Sequence, residues 1–210
     1  MKNILKPSHI KSRYSVKDIA AGHHNITYRG VPCIKCPFDY VMYQMILMEI
    51  KPDLLIEIGT NYGGSALYLA DLMDLIGKGH LHTIDINDIS CSEIKDHHRI
   101  KSYHSGWENY DIDQLDKYPT IMIIEDASHE YNNTLAALEK FAPFVTKGSY
   151  LIVEDGIIDA LGQSKIYNGG PVKAIKEFLK RNNEFQIDNR WVDFFGENTT
   201  FNTMGYLKRI

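Results

Sequence analysis

The stretch LLIEIGTNYGGSALYLA, residues 54–70, runs from an apolar block through three glycines into a segment whose small and apolar residues repeat at helical spacing. LLIEIG has the length and composition of a buried strand, and SALYLADLMDLIG, with Leu67, Ala70, Leu72 and Met73 on one stripe and Gly77 as a stop, reads as a helix. The loop between them is therefore a strand-to-helix turn. A dinucleotide fingerprint needs glycines at the first, third and sixth positions of the turn. Here Gly59, Gly63 and Gly64 fall as G-x-x-x-G-G, with Glu57 two residues ahead, an order that disfavours NAD. Taken alone the cluster fits a tight turn as well as a ligand loop, in which glycine would let a ligand approach the backbone at a helix N-terminus.

Outward from this unit the chain alternates. HLHTIDI (80–86), IMIIEDA (121–127) and SYLIVEDG (149–156) are further strand-like runs. FDYVMYQMILMEI (38–50), NNTLAALEKFAPFV (132–145) and GPVKAIKEFLKR (170–181) carry helical spacing, the first with Phe38, Val41, Met42, Met45, Ile46 and Met48 as its expected core face. Alternating strands and helices with continuous apolar strands predict an α/β fold, a mostly parallel sheet covered by helices on both faces. FQIDNRWVDFF (185–195) and NTMGYLKRI (202–210), joined by GENTT, predict a closing hairpin that puts an antiparallel edge on the sheet.

Ligands of open parallel sheets sit outside the carboxyl ends of the strands. Those ends are acidic here. The second strand ends at Asp85, which suits the hydroxyls of a ribose, or else a helix cap or solvated strand end. IMIIEDASHE and YLIVEDGI place Glu125, Asp126, Glu154 and Asp155 near one rim, and buried like charges call for a neutralising cation. Oxygen ligands without a thiolate suit Mg²⁺, Mn²⁺ or Ca²⁺. Asp126, standing before SHEYNN, as a helix N-cap is the plainer alternative. His129, three residues on, is placed to serve as a general base over the same rim.

Three cysteines are a sparse, odd set that suits a reducing compartment. Cys33 and Cys36 form a single C-x-x-C, and Pro32 and Pro37 on either side predict a packed loop rather than a helix start. With 210 residues, 44% hydrophobic, one sizeable core in one domain is expected. A net charge of −4 and no long run of like charge point away from nucleic acid and anionic membranes. No segment approaches the roughly 20 apolar residues of a membrane span, and MKNILKPSHIKSRY lacks a secretory apolar region, so a cytoplasmic protein is expected.

The blocks GVPCIKCPFDYVMYQ, PDLLIEIGTNYGGSALYLA, HTIDI, IEDASH, GSYLIVEDG, GGPVKAIKEFL and MGYLKR, in this order, resemble the cephalosporin hydroxylase and rhamnosyl O-methyltransferase family of class I S-adenosylmethionine (SAM) dependent methyltransferases. The resemblance implies a Rossmann-like methyltransferase with a seven-stranded sheet, spanning residues 28–210 after an N-terminal extension, 1–27. It implies SAM as cofactor, held by Glu57, Gly59, Thr60, Asn61, Gly63 and Ser65 at the methionine end, Asp85 at the ribose, and Ser105 and Trp107 of YHSGWEN beside adenine. It further implies Mg²⁺ or a similar ion on Asp126, Glu154 and Asp155, His129 as base, a sugar or glycan hydroxyl as acceptor, and a homo-oligomer. A nicotinamide oxidoreductase and a non-catalytic SAM- or metal-binding accessory protein are the rival readings.

Overall fold

The structure is a computed structural model that describes residues 15–197 and 199–210; residues 1–14 of the expected extension lie outside the described residues. Helix α1 (Val16–Gly22) and a small ribbon, β1 (Thr27–Tyr28) with β2 (Val31–Pro32), lead into α2 (Pro37–Ile50). Then follow β3 (Leu54–Ile58), α3 (Gly64–Ile76), β4 (His80–Ile84), α4 (Ser92–Asp96), β5 (Ile100–Tyr103), β6 (Ile121–Glu125), α5 (Tyr131–Phe141), β7 (Tyr150–Val153), α6 (Gly170–Arg181), β8 (Phe185–Ile187), α7 (Asn189–Val192) and β9 (Tyr206–Arg209). The main sheet has seven strands in the order β5-β4-β3-β6-β7-β9-β8, parallel except for β9, which runs antiparallel to both its neighbours.

Alternate residues of one strand serve two cores. Leu55 of β3 packs with Met42, Tyr43, Ile46 and Leu47 of α2 and Leu67, Ala70 and Met73 of α3. Leu54, Ile56 and Ile58 face the other way, with Ala137, Leu138 and Phe141 of α5 and Ile175 and Phe178 of α6. That is why the strand reads as a continuous apolar run: both faces are buried. Because the chain leaves β3 toward β4 and β5 and returns to β6 on the other side, the crevice where ligands bind in such sheets opens above β3. Ile58 lies beside Ile84 and Glu125 in register. One further step of the ladder, with Gly59 N–H on Ile84 O, Asp126 N–H on Ile58 O and Glu154 N–H on Glu125 O, locks these strand ends into a common rim.

Three local expectations change. On α2 the buried set is Asp39, Met42, Tyr43, Ile46 and Leu47, whereas Val41, Met45 and Met48 are 45%, 38% and 51% exposed. Counting apolar type alone missed that Tyr43 and Asp39 turn inward, where their polar ends find partners. Cys36 is the N-cap of α2 with Pro37 in its first turn, so the second cysteine does stand at a helix start; a proline there costs no hydrogen bond. FQIDNRWVDFF stops being a strand after Ile187, since Asp188 accepts from Arg190 N–H and starts α7, and the antiparallel pairing of β8 with β9 is reached by a connection longer than GENTT. The strand IKSY was not picked out, because an edge strand is only half buried. No helix among the described residues is long and apolar enough to cross a membrane.

Candidate active site

A cleft of about 420 Å³ opens above the rim, lined by Gly59, Asn61, Asp85, Trp107, Asp126, His129 and Asp155, among others. Four of the residues expected at SAM therefore meet there, from the loops after β3, β4 and β5. Glu57, Thr60, Gly63, Ser65 and Ser105 do not line it. Glu57 is fully buried below the loop, accepting from the hydroxyls of Ser65 and, at 2.7 Å, Thr83; burial pushes its carboxyl up to about 7 against the pull of Lys35 and these donors. Thr83 also pairs with Thr60 at 2.6 Å. Asp85 accepts from the backbone N–H of Asn61 at 2.9 Å and of Asn87 at 3.0 Å, tying two loops together while it faces the cleft.

The glycines answer to the chain itself. Gly59 has φ +110, and a Cβ on it would lie 2.0 Å from the carbonyl oxygen of Asp126. On Gly64 a Cβ would lie 2.3 Å from Pro32 O, and on Gly63 2.8 Å from the Ile94 side chain. Close packing within the chain is thus a reason for glycine at these positions that the spacing did not offer. Gly59 lets the β3 and β6 ends close up.

Opposite stands the acidic wall. Donor atoms of Asp126, His129 and Asp155 all lie within 4.8 Å of one another, and His129 Nε2 sits 3.3 Å from Asp155 Oδ2. His129 and Asp155 both hold φ +57, a left-handed backbone that non-glycine residues adopt at a cost. Asp126 is not the cap of α5: Glu130 is, accepting from Asn132 and Asn133 N–H. Among the described residues, His129 Nδ1 and Glu125 Oε2 are buried without a hydrogen-bond partner. Burial raises the carboxyls of Asp126, Glu154 and Asp155. Burial also opposes a charged His129, but Asp155, Asp126, Glu125 and Glu154 outweigh it and hold the imidazole above its ordinary value. Oxygen-rich donors with one imidazole and no thiolate are a set that fits Mg²⁺ or Mn²⁺.

Glu154 points elsewhere. Its Oε1 accepts from Tyr43 O–H at 2.7 Å and from Lys35 Nζ, and the same ammonium donates to Asp126 Oδ2 at 3.0 Å. Lys35 is only 2% exposed. Nothing in the spacing of CIKCP announced it. Tyr43 continues into a buried network: Asn202 donates to Tyr43 and Tyr206 oxygens, while Asp39 accepts from Thr200 O–H, Phe201 N–H and Tyr206 O–H. Ile86 and Ile89 of the loop after β4 are 72% and 54% exposed at the cleft, another feature passed over; apolar residues in the polar run DINDIS were the signal.

Two other clusters carry less. Cys33 and Cys36 are free and buried, their thiols pushed up to about 11 and about 12 by burial, and no cysteine joins a metal-ligating group among the described residues. Asp74, His97 and His98 also converge, but at the surface, where Arg99 already pairs with Asp74.

The seven-stranded sheet with one antiparallel strand and a cleft at the β3 switch point defines the class I SAM-dependent methyltransferase fold. The family profile described as Rhamnosyl O-methyltransferase/CmcI matches residues 21–210, and the chain belongs to that family. It is 34% identical over 162 residues to the rhamnosyl O-methyltransferase of Mycobacterium bovis, an alignment covering 72% of this chain and 65% of the relative. The chain thus spans less than two thirds of the length of that relative. It is 31% identical to the rhamnosyl O-methyltransferase of Mycobacterium leprae, over 87% of this chain and 82% of the relative. Among solved structures, a CmcI structure with SAH superposes with a TM-score of 0.68 at 20% identity, over 88% of this chain and 82% of that one. One of CmcI with Mg and SAM gives 0.66 at 20% identity, over 89% and 77%. At such identities these two speak for the fold.

Proposed function

We propose that this chain transfers the methyl group of SAM to a hydroxyl of a sugar or a sugar-containing acceptor, assisted by a divalent cation such as Mg²⁺. The observation that carries the reading is the meeting, across one cleft, of Asp126, His129 and Asp155 with Gly59, Asn61, Asp85 and Trp107. The names of the relatives suggest the sugar. Asp85 binds the ribose hydroxyls with the lone pairs left over from Asn61 and Asn87, and Trp107 with Ile86 flanks the adenine. The acidic wall receives the acceptor. Asp126 and Asp155, with Glu154 behind them, would hold the cation, whose chemistry is to fix the acceptor oxygens and lower the hydroxyl pKa.

His129 takes the hydroxyl proton at Nε2, the nitrogen that faces Asp155; the new O–C bond forms as the C–S bond breaks, and the sulfonium becomes a neutral thioether. Alignment of oxygen, carbon and sulfur is where roughly 7–11 kcal/mol of such a barrier can be met. The loop 156–170 reaches the acceptor side, since the Tyr167 ring stands edge-on 6.0 Å from His129. In this reading residues 28–210 form the catalytic domain and 1–27 the extension, whose Val16, Ile19 and Ala20 pack against Cys36, Ile157 and Phe201. A homo-oligomer and a cytoplasmic location belong to the same proposal, the exposed stripe Val41, Met45 and Met48 being available for a subunit contact.

The test is transfer of labelled methyl from SAM to a panel of deoxysugar glycosides, with Mg²⁺ and with EDTA. Labelled product that needs the cation supports the proposal. SAM binding with no acceptor methylated would favour the accessory reading, and tighter binding of NAD than of SAM would favour the oxidoreductase.

A further inference from the structure

Lys35 is a cation built into the acidic wall from behind. It comes from the loop before α2, is almost fully buried, and reaches one oxygen of each of two carboxylates: Asp126 Oδ2 and Glu154 Oε1. Tyr43 O–H fixes the same Glu154 oxygen, and the ammonium lies 5.7 Å from the centre of the Tyr43 ring. Asp126 Oδ1 and Glu154 Oε2 accept no hydrogen bond among the described residues, so Lys35 occupies one oxygen of each carboxylate and leaves the other. Two of the three clustered carboxylates, Asp126 and Glu154, thus share one ammonium, while Asp155 faces His129 Nε2.

We propose that Lys35 is a built-in counter-charge of the cation site, an ammonium that bridges Asp126 and Glu154 before any metal arrives and that competes with a divalent ion for them. The inference rests on the metal-assisted reading above. It follows from the cost of burying like charges without compensation: with Lys35 in place the metal-free wall is already partly neutralised, so the fold does not depend on the metal. Without it the metal becomes the main counter-charge, and the metal-free state suffers more than the metal-bound one. Removal of Lys35 must therefore tighten metal binding, the opposite of what loss of a merely structural contact would do.

The test uses the full chain and its Lys35→Met variant at pH 8, with Mn²⁺ alone as the probe. In EDTA the variant is expected to melt roughly 10 °C below wild type. Mn²⁺ affinity by calorimetry or electron paramagnetic resonance is expected to rise roughly tenfold, since the metal no longer shares its ligands with an ammonium. SAM affinity should stay within about twofold, the cofactor wall being untouched. Lys35→Met combined with Asp126→Asn, which removes one charge of each sign, should recover part of the lost melting temperature in EDTA. Where Lys35→Met does not fold in EDTA, it is expected to fold when prepared with Mn²⁺; failure in both overturns the inference. So does Mn²⁺ affinity that is unchanged or weaker, or a double variant that melts no higher than Lys35→Met. A wild type that binds no Mn²⁺ overturns the metal reading and this inference with it, whereas wild-type binding without a gain in Lys35→Met overturns the inference alone.

Discussion

The two walls of the cleft treat their carboxylates differently. On the glycine-loop wall, Glu57 and Asp85 accept from neutral donors: the hydroxyls of Ser65 and Thr83, the backbone N–H groups of Asn61 and Asn87. On the opposite wall, Asp126 and Glu154 face the Lys35 ammonium and Asp155 faces the His129 imidazole. The carboxylates of the first wall are satisfied by these donors, while the second wall keeps His129 Nδ1 and the neighbouring Glu125 Oε2 without a partner among the described residues. A wall closed by neutral hydrogen bonds presents a fixed surface; a wall with stored charge is completed by what binds it.

The sharpest way to break this comparison is at the charged wall. Asp126→Ala and His129→Ala are each expected to lower methyl transfer by roughly 10²–10⁴-fold with SAM affinity nearly unchanged, as read by single-turnover transfer beside calorimetric SAM binding. Normal turnover in both variants would remove the division of labour. Gly59→Ala attacks the joint between the walls, because its Cβ would meet the Asp126 carbonyl and its φ of +110 disfavours any side chain. A loss of about 3 kcal/mol in denaturant unfolding is expected, with both SAM and metal affinity impaired.

At the neutral wall, Asp85→Ala should weaken SAM roughly a hundredfold through loss of two hydroxyl contacts to a charged acceptor. Glu57→Gln should cost only a few-fold, since Glu57 lies under the loop rather than at the cleft. Equal losses would mean that Glu57 reaches the cofactor after all. The smallest effect is on pH dependence. His82 of β4 is buried below the same wall, and burial, with Lys101, Lys117 and His80 nearby, pushes it down to about 4. The unfolded chain takes up this proton near its ordinary value of about 6.5, so between the two values the unfolded state binds more protons and stability falls as pH falls. About 2 kcal/mol should be lost between pH 6.5 and 4, and His82→Gln should flatten that limb of the unfolding profile.

Much of the charged wall was legible because strand ends are local features. Four apolar residues followed by Glu-Asp in both IMIIEDASH and YLIVEDG put carboxylates just past buried strands, whatever else the chain does. His129 is carried to Asp155 by the same logic, since both stand one loop beyond neighbouring strands β6 and β7. The α2 face was misjudged because hydrophobic type was counted without the partners that let Asp39 and Tyr43 turn inward. Those partners, Thr200, Asn202 and Tyr206, come from the far end of the chain. The glycines were correctly placed in a turn, but the carbonyl of Asp126 that crowds Gly59 belongs to another strand end and has no mark in the local spacing.

The sequence by itself determined the alternation of strands and helices, the strand ends and the residue types that stand on them, because periodicity and turn chemistry act over a few residues. Tertiary structure alone decided which charge each carboxylate meets. Lys35 lies 91 residues from Asp126 and 119 from Glu154 along the chain, and no spacing rule joins them. A buried charge is neutralised by whatever group is nearest in space, and that neighbour exists only once the sheet has closed.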